Sequence, residues 1–154
     1  AAVVGALALQ PWTSNHELAL TFRQDVRSRS PMAGLVPSET PVDAIWVLKA
    51  RPSDQLRLFH DHRSPGYFIY ELQDADPTQM VFVDNRVELP SAALWSDFEQ
   101  VSKAEGWRES FREYDVNAAV LMRETQAPLI EAMEDSESWR RLYKTDSYVV
   151  YSRR

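Results

Sequence analysis

The chain has 154 residues, 44% apolar and 11% aromatic, the composition of a globular domain with a core large enough to fold without staples. It has no cysteine, which excludes disulfides, thiolate catalysis and Cys-based zinc sites. The net charge of −6, from 23 acidic and 17 basic residues, argues against nucleic acid as a partner, because phosphate binding needs a concentrated positive surface; it argues more mildly against anionic lipid heads.

Residues 1–39 read as an N-terminal segment, and 40–154 as one α/β domain. The opening stretch, Ala1 to Leu9, is apolar and has no initiator Met. It is too short to cross a bilayer, which takes about 20 residues. It reads either as the trimmed end of a transmembrane helix or as a buried first helix or strand. In the former case Trp12 suits a membrane interface and the segment is juxtamembrane. Glu17 to Val26 reads as a short strand or a helical turn, with Leu18, Leu20 and Phe22 alternating in the strand manner, and 28–41 is an irregular connection rich in proline.

From residue 40 the pattern sharpens. Thr40-Pro41-Val42-Asp43 predicts a helix start with Thr as N-cap and Pro at the first helical position. Val42, Ile45, Trp46 and Lys49 are expected on one face, with Pro52 ending the helix. Leu56 to Phe59 alternates as a strand and closes in His60-Asp61-His62-Arg63. Ser64-Pro65-Gly66 opens a second helix carrying Tyr67, Phe68, Ile69 and Leu72. Met80-Val81-Phe82-Val83 is a continuous apolar run of strand length, as for a strand covered on both faces, and it runs into Asp84-Asn85-Arg86.

Pro90-Ser91 begins a helix with Leu94, Phe98 and Val101 on one stripe, interrupted at Gly106; Trp107, Phe111 and Tyr114 repeat the spacing. Ala118 to Met122 is a third apolar strand, ending at Arg123-Glu124. Pro128 to Glu134 is a short helix with Leu129, Ile130 and Met133 inward. Trp139 to Tyr143 and Tyr148 to Tyr151 are strands joined at Thr145-Asp146-Ser147. Alternation of helix and strand leaves room for parallel crossovers. The expected fold is therefore a three-layer, open, mainly parallel α/β sheet with a C-terminal antiparallel hairpin.

In such sheets ligands bind beyond the carboxyl ends of strands, where both polar clusters fall. The candidate ligand-binding residues are Asp84, Arg86, His60, His62, Gly66 and Tyr67. Asp84 and Arg86 can hold a sugar hydroxyl or a carboxylate, or form a structural ion pair. His60 and His62 are metal-capable, but an extended segment points them to one side and Asp61 to the other, and no third strong ligand is evident; no metal site is assigned. Loop-stabilising histidines are the plainer reading. The Ser64-Pro65-Gly66 start offers free N–H groups to an anion. No Gly-rich nucleotide loop and no Ser-His-Asp set is found, so no catalytic residue and no cofactor are assigned. Exposed Trp95, Trp107 or Trp139 could stack on sugar rings, although the stripe shared by Trp107 and Phe111 favours a core role. The acidic run around Glu131, Glu134, Asp135 and Glu137 reads as a solvated face.

Several phrases in order carry a family resemblance. They are Pro41-Val42-Asp43-Ala44-Ile45-Trp46-Val47-Leu48, Arg57-Leu58-Phe59-His60, Gly66-Tyr67-Phe68-Ile69-Tyr70, Val81-Phe82-Val83-Asp84-Asn85-Arg86, the stretch Trp107 to Leu121, and the closing Trp139 to Arg153. Over roughly residues 38–153 the chain resembles the soluble C-terminal domain of bacterial polytopic membrane proteins of the GT-C glycosyltransferase-like kind. It departs at Asn85, where that family usually has Gly, and at Ser64-Pro65-Gly66, where a Gly pair is common.

The resemblance implies a domain on the extracytoplasmic side of the cell membrane, partnered by the membrane portion of the same polypeptide. Catalysis would belong to that membrane portion. The role left for this domain is capping, acceptor-glycan recognition or partner binding. The alternative is a free-standing α/β module for a glycan or small ligand; a hydrolase or metal-dependent enzyme built on His60, His62 and Asp84 is a third reading.

Overall fold

The computed structural model describes residues 40–50, 55–72, 80–83 and 92–154. Its elements in chain order are α1 (Val42–Lys49), β1 (Arg57–His60), α2 (Pro65–Leu72), β2 (Met80–Val81), α3 (Ala92–Ser102), α4 (Trp107–Glu113), β3 (Ala118–Met122), α5 (Ala127–Glu134), β4 (Trp139–Lys144) and β5 (Tyr148–Arg153). The expectations placed on 1–39, on Pro52 and on Asp84-Asn85-Arg86 lie outside the described residues.

One sheet runs β2-β1-β3-β5-β4. β1 is parallel to both β2 and β3, whereas β3/β5 and β5/β4 are antiparallel. This corrects the expected three-layer, mainly parallel sheet. Among the four strands longer than two residues, β1/β3 is the one parallel pair, and β2 adds only the two-residue edge Met80–Val81. The physical reason lies in the C-terminal hairpin. The crossover through α5 does return the chain in the direction of β3, but β4 docks one position too far away to pair. β5 then fills the gap and, being the second arm of a tight hairpin, must run antiparallel to both neighbours. Thr145 fixes that turn: its hydroxyl accepts from the backbone N–H of Tyr148 at 3.0 Å and of Ser147 at 3.2 Å.

Side chains of the sheet alternate between two cores. On one face Leu58, Ala118, Val120, Met122, Tyr148 and Val150 pack with Val42, Ile45 and Leu48 of α1 and Phe68 and Leu72 of α2. On the other face Phe59, Ala119, Leu121, Val149 and Tyr151 meet Phe98 and Val101 of α3, Trp107 and Phe111 of α4, and Leu129 and Met133 of α5. Phe59 is fully buried there, with the rings of Phe82, Phe98 and Phe111 at 5.0, 5.6 and 5.2 Å, which adds directional contacts to the area it buries. β3 is buried at all five positions, as its unbroken apolar run requires.

Several local expectations change. α1 starts one residue late, with Pro41 rather than Thr40 at the cap and no side-chain bond there. Its inward stripe is Val42, Ala44, Ile45 and Leu48, while Trp46 and Lys49 face outward. Gly106 does divide the α3–α4 region: it caps α4 at φ 58°, a left-handed conformation that L side chains resist. At the outer edge β4 carries Arg140, Arg141 and Lys144 and has a register shift between Arg141 and Tyr143. Charge and irregularity of that kind blunt an edge against pairing with another strand.

Candidate functional site

The loops after β1 and β3 leave the sheet in opposite directions. β1 leads into α2, which packs in the core with α1, whereas β3 leads into α5 in the core across the sheet. The pairing His60↔Val120 makes β1 stop beside β3 two residues before β3 ends at Met122. A crevice between diverging loops at strand carboxyl ends is where open α/β sheets place their ligands.

Asp61, the first residue beyond β1, is at the centre. Its side chain is only 4% exposed. Oδ1 accepts from the backbone N–H of Arg63 at 2.9 Å and from its Nε at 2.8 Å, and Oδ2 accepts from the Thr125 hydroxyl at 2.7 Å. Burial alone would push this carboxyl up, but the bonds from the Arg63 side chain, Thr125 and the Arg63 backbone, with the charge of the guanidinium, outweigh it and hold the carboxyl below its ordinary value. Asp61 is therefore an anion at neutral pH. Its lone pairs are committed to fastening the two loops together, a poor arrangement for a general base.

Arg63 is the outward-facing partner. Its side chain is 40% exposed, and Nη1 reaches Glu124, itself 78% exposed, at 3.2 Å. One guanidinium thus spans a buried and a solvated carboxylate, one from each loop. His62 also lies on the surface, 48% exposed, with Nδ1 3.9 Å from Asp61 Oδ2 and its ring edge-on to Phe98 at 6.0 Å.

The β3–α5 loop is set by Gln126, which is completely buried. Its Oε1 accepts from the backbone N–H of Met122 at 3.0 Å, and its Nε2 donates to the Ser102 hydroxyl at 3.2 Å. Arg123 N–H donates to the Ser147 carbonyl at 2.8 Å. The loop that offers Glu124 and Thr125 is thereby tied both to α3 and to the β4–β5 turn.

The four candidate residues that are described, His60, His62, Gly66 and Tyr67, do not come together. His60 is fully buried, its Nδ1 donating to the Asp61 carbonyl at 2.7 Å and its ring 5.2 Å from Phe68. His62 meets Phe98 instead, so the two imidazoles turn toward opposite faces of the sheet. The expectation that they share one side fails because the strand ends at His60 and the chain turns at once. Among the described residues no group of three or more His, Cys, Asp or Glu is placed to hold a metal ion. Tyr67 is packed in the core with α1, and Gly66 is exposed in the first turn of α2, where a Cβ would touch nothing within 4 Å. Asp84 and Arg86 lie outside the described residues. Thr125 and Gln126 escape a reading by motif. The clue available was a polar run, Arg123 to Gln126, directly after the third apolar strand.

Trp107 and Trp139 are core residues at 3% and 6% exposure, and Trp95 packs edge-on to Phe98 at 5.8 Å. None of the three is an open sugar platform. The larger exposed aromatics among the described residues are Trp46 and Tyr70. No described helix is long and apolar enough to cross a membrane. Comparison with protein families, with curated proteins and with solved structures finds no match.

Proposed function

We propose that this chain is a non-catalytic, extracytoplasmic domain of a membrane glycosyltransferase-like protein. In this reading, the strand-end surface around Arg63, Glu124 and His62 recognises an acceptor glycan. The observation that carries it is the use made of Asp61: a buried carboxylate held by three donors orders two diverging loops and presents exposed polar groups at their rim. Polar groups fixed in place, a carboxylate and a guanidinium among them, can hydrogen-bond and orient a ligand's hydroxyls. The ordered sequence resemblance over roughly residues 38–153 supports the membrane-protein context. A free-standing glycan- or ligand-binding module has support from the same pair of strand-end loops, since diverging loops of this kind serve binding whatever precedes them.

The test has two arms. The coding sequence upstream of Ala1 should hold several apolar stretches of about 20 residues; their absence would sink the membrane-protein reading and leave the module. Calorimetric titration of the chain with neutral acceptor-type oligosaccharides should show saturable binding that Arg63→Gln weakens. No heat with any of them would remove the recognition role.

A further inference from the structure

The bonding of Arg63 allows the ligand chemistry to be named more closely, resting on the reading of this strand-end surface as a recognition site. A guanidinium has five N–H donors in a planar fork. Nε is occupied by buried Asp61 at 2.8 Å, which fixes the plane of the group. On the outer side Nη1 donates to Glu124 Oε2 at 3.2 Å, and Glu124 is 78% exposed. Ion pairs this exposed are worth little, because water and side-chain entropy offset the attraction. Glu124 thus behaves as a weak, displaceable carboxylate on a rigidly held fork. α2 begins at Pro65, two residues after Arg63, and α5 at Ala127, three residues after Glu124, and the positive end of a helix dipole favours an anion beside it.

We propose that Arg63 is an oxyanion-binding residue: a ligand carboxylate or phosphate takes the outer edge of its guanidinium and displaces Glu124, which acts as an internal competitor. The chain's net charge of −6 opposes any anion. Binding of a small probe is therefore weak and strengthens at low salt.

The experiment is an amide-resolved NMR titration of the whole chain at low ionic strength, with inorganic phosphate in one arm, glucuronate in another and glucose as the neutral control. Expected are saturable shifts at the Arg63 and Thr125 amides with at least one anion and none with glucose. Glu124→Gln, at a site too exposed to threaten the fold, should tighten that binding by about two- to fivefold, the range set by an exposed ion pair. Arg63→Lys keeps the charge but loses the fork and should weaken it several-fold. Saturation by phosphate alone assigns the site to a phosphoryl group, and by glucuronate alone to a sugar acid. The proposal is overturned if neither anion saturates Glu124→Gln, if Glu124→Gln weakens binding, or if Arg63→Lys leaves it unchanged. Neutral oligosaccharide binding that survives such a result would leave the recognition role standing without its anionic ligand.

Discussion

The Thr125 hydroxyl donates to the Asp61 carboxylate at 2.7 Å across 64 residues of chain, joining the loops that follow two adjacent parallel strands. A hydrogen bond to a buried charged acceptor contributes about 1.5–3 kcal/mol. Thr125→Val keeps the shape and deletes the donor, so it should lower stability by about that amount. The urea midpoint should fall while the slope stays constant, since the surface exposed on unfolding is unchanged. An unmoved midpoint would show that the Arg63 contacts hold Asp61 without help.

Asp61 also fixes how the fold responds to acid. Its folded carboxyl titrates below the ordinary 3.8, so the folded state takes up its proton later than the unfolded state does. The stability it contributes is complete above 3.8 and is lost as pH falls through the lower, folded value. Glu134 adds a slope of the same sign: burial raises its pKa, but the bonds from Arg141 and Tyr151 overcome burial. The comparison with Asp61→Asn isolates the Asp61 share. That variant should be less stable at neutral pH, and its gap from the wild type should narrow as pH drops below 3.8. Melting temperatures collected from neutral pH downward decide it; a constant gap would show that the network does not depend on the charge.

The elements of this fold were legible wherever apolar spacing was uninterrupted. β3, α2 and the closing hairpin lie where Ala118 to Met122, Pro65 to Leu72 and Trp139 to Tyr151 place them, because each buries a face its own periodicity defines. Strand order was not legible. Nothing local to Tyr148–Arg153 says that it inserts between β3 and β4 rather than extending the edge; that choice follows from which sheet position its two apolar faces can fill. The site was half legible. Asp61 and Arg63 stand in a cluster that polar residues after an apolar strand make visible. Thr125 joins them only through the β1/β3 pairing, and sequence spacing carries no trace of it. The inward turn of His60 depended on where the strand stopped, a boundary that periodicity does not fix.

Gln126 is an uncharged polar side chain with no exposure at all, and both ends of its amide are used, on Met122 and Ser102. Replacing it with Leu keeps the volume but leaves the Met122 N–H buried without that acceptor. Stranding a buried donor costs about 1–3 kcal/mol. Gln126→Leu should therefore destabilise the fold by that order and raise the exchange rate of the Met122 amide, both read in one hydrogen-exchange series. Faster exchange confined to Met122, with global stability intact, would mean that the amide closes the loop without contributing to the core.

Two glycines should respond in opposite directions to the same change. Gly106 sits at φ 58° as the cap of α4, where any Cβ meets the following carbonyl at a cost of about 1–2 kcal/mol. Gly66 lies in the first turn of α2 with open space around the position a Cβ would take. There alanine narrows the unfolded ensemble and improves helix propensity, with gains of about 0.4–1 kcal/mol. Gly106→Ala should thus lower the thermal midpoint and Gly66→Ala should raise it. A loss at Gly66 would point to a backbone demand in the Ser64-Pro65-Gly66 turn that helical geometry does not impose, and would return that turn to consideration as a place where a ligand comes close to the chain.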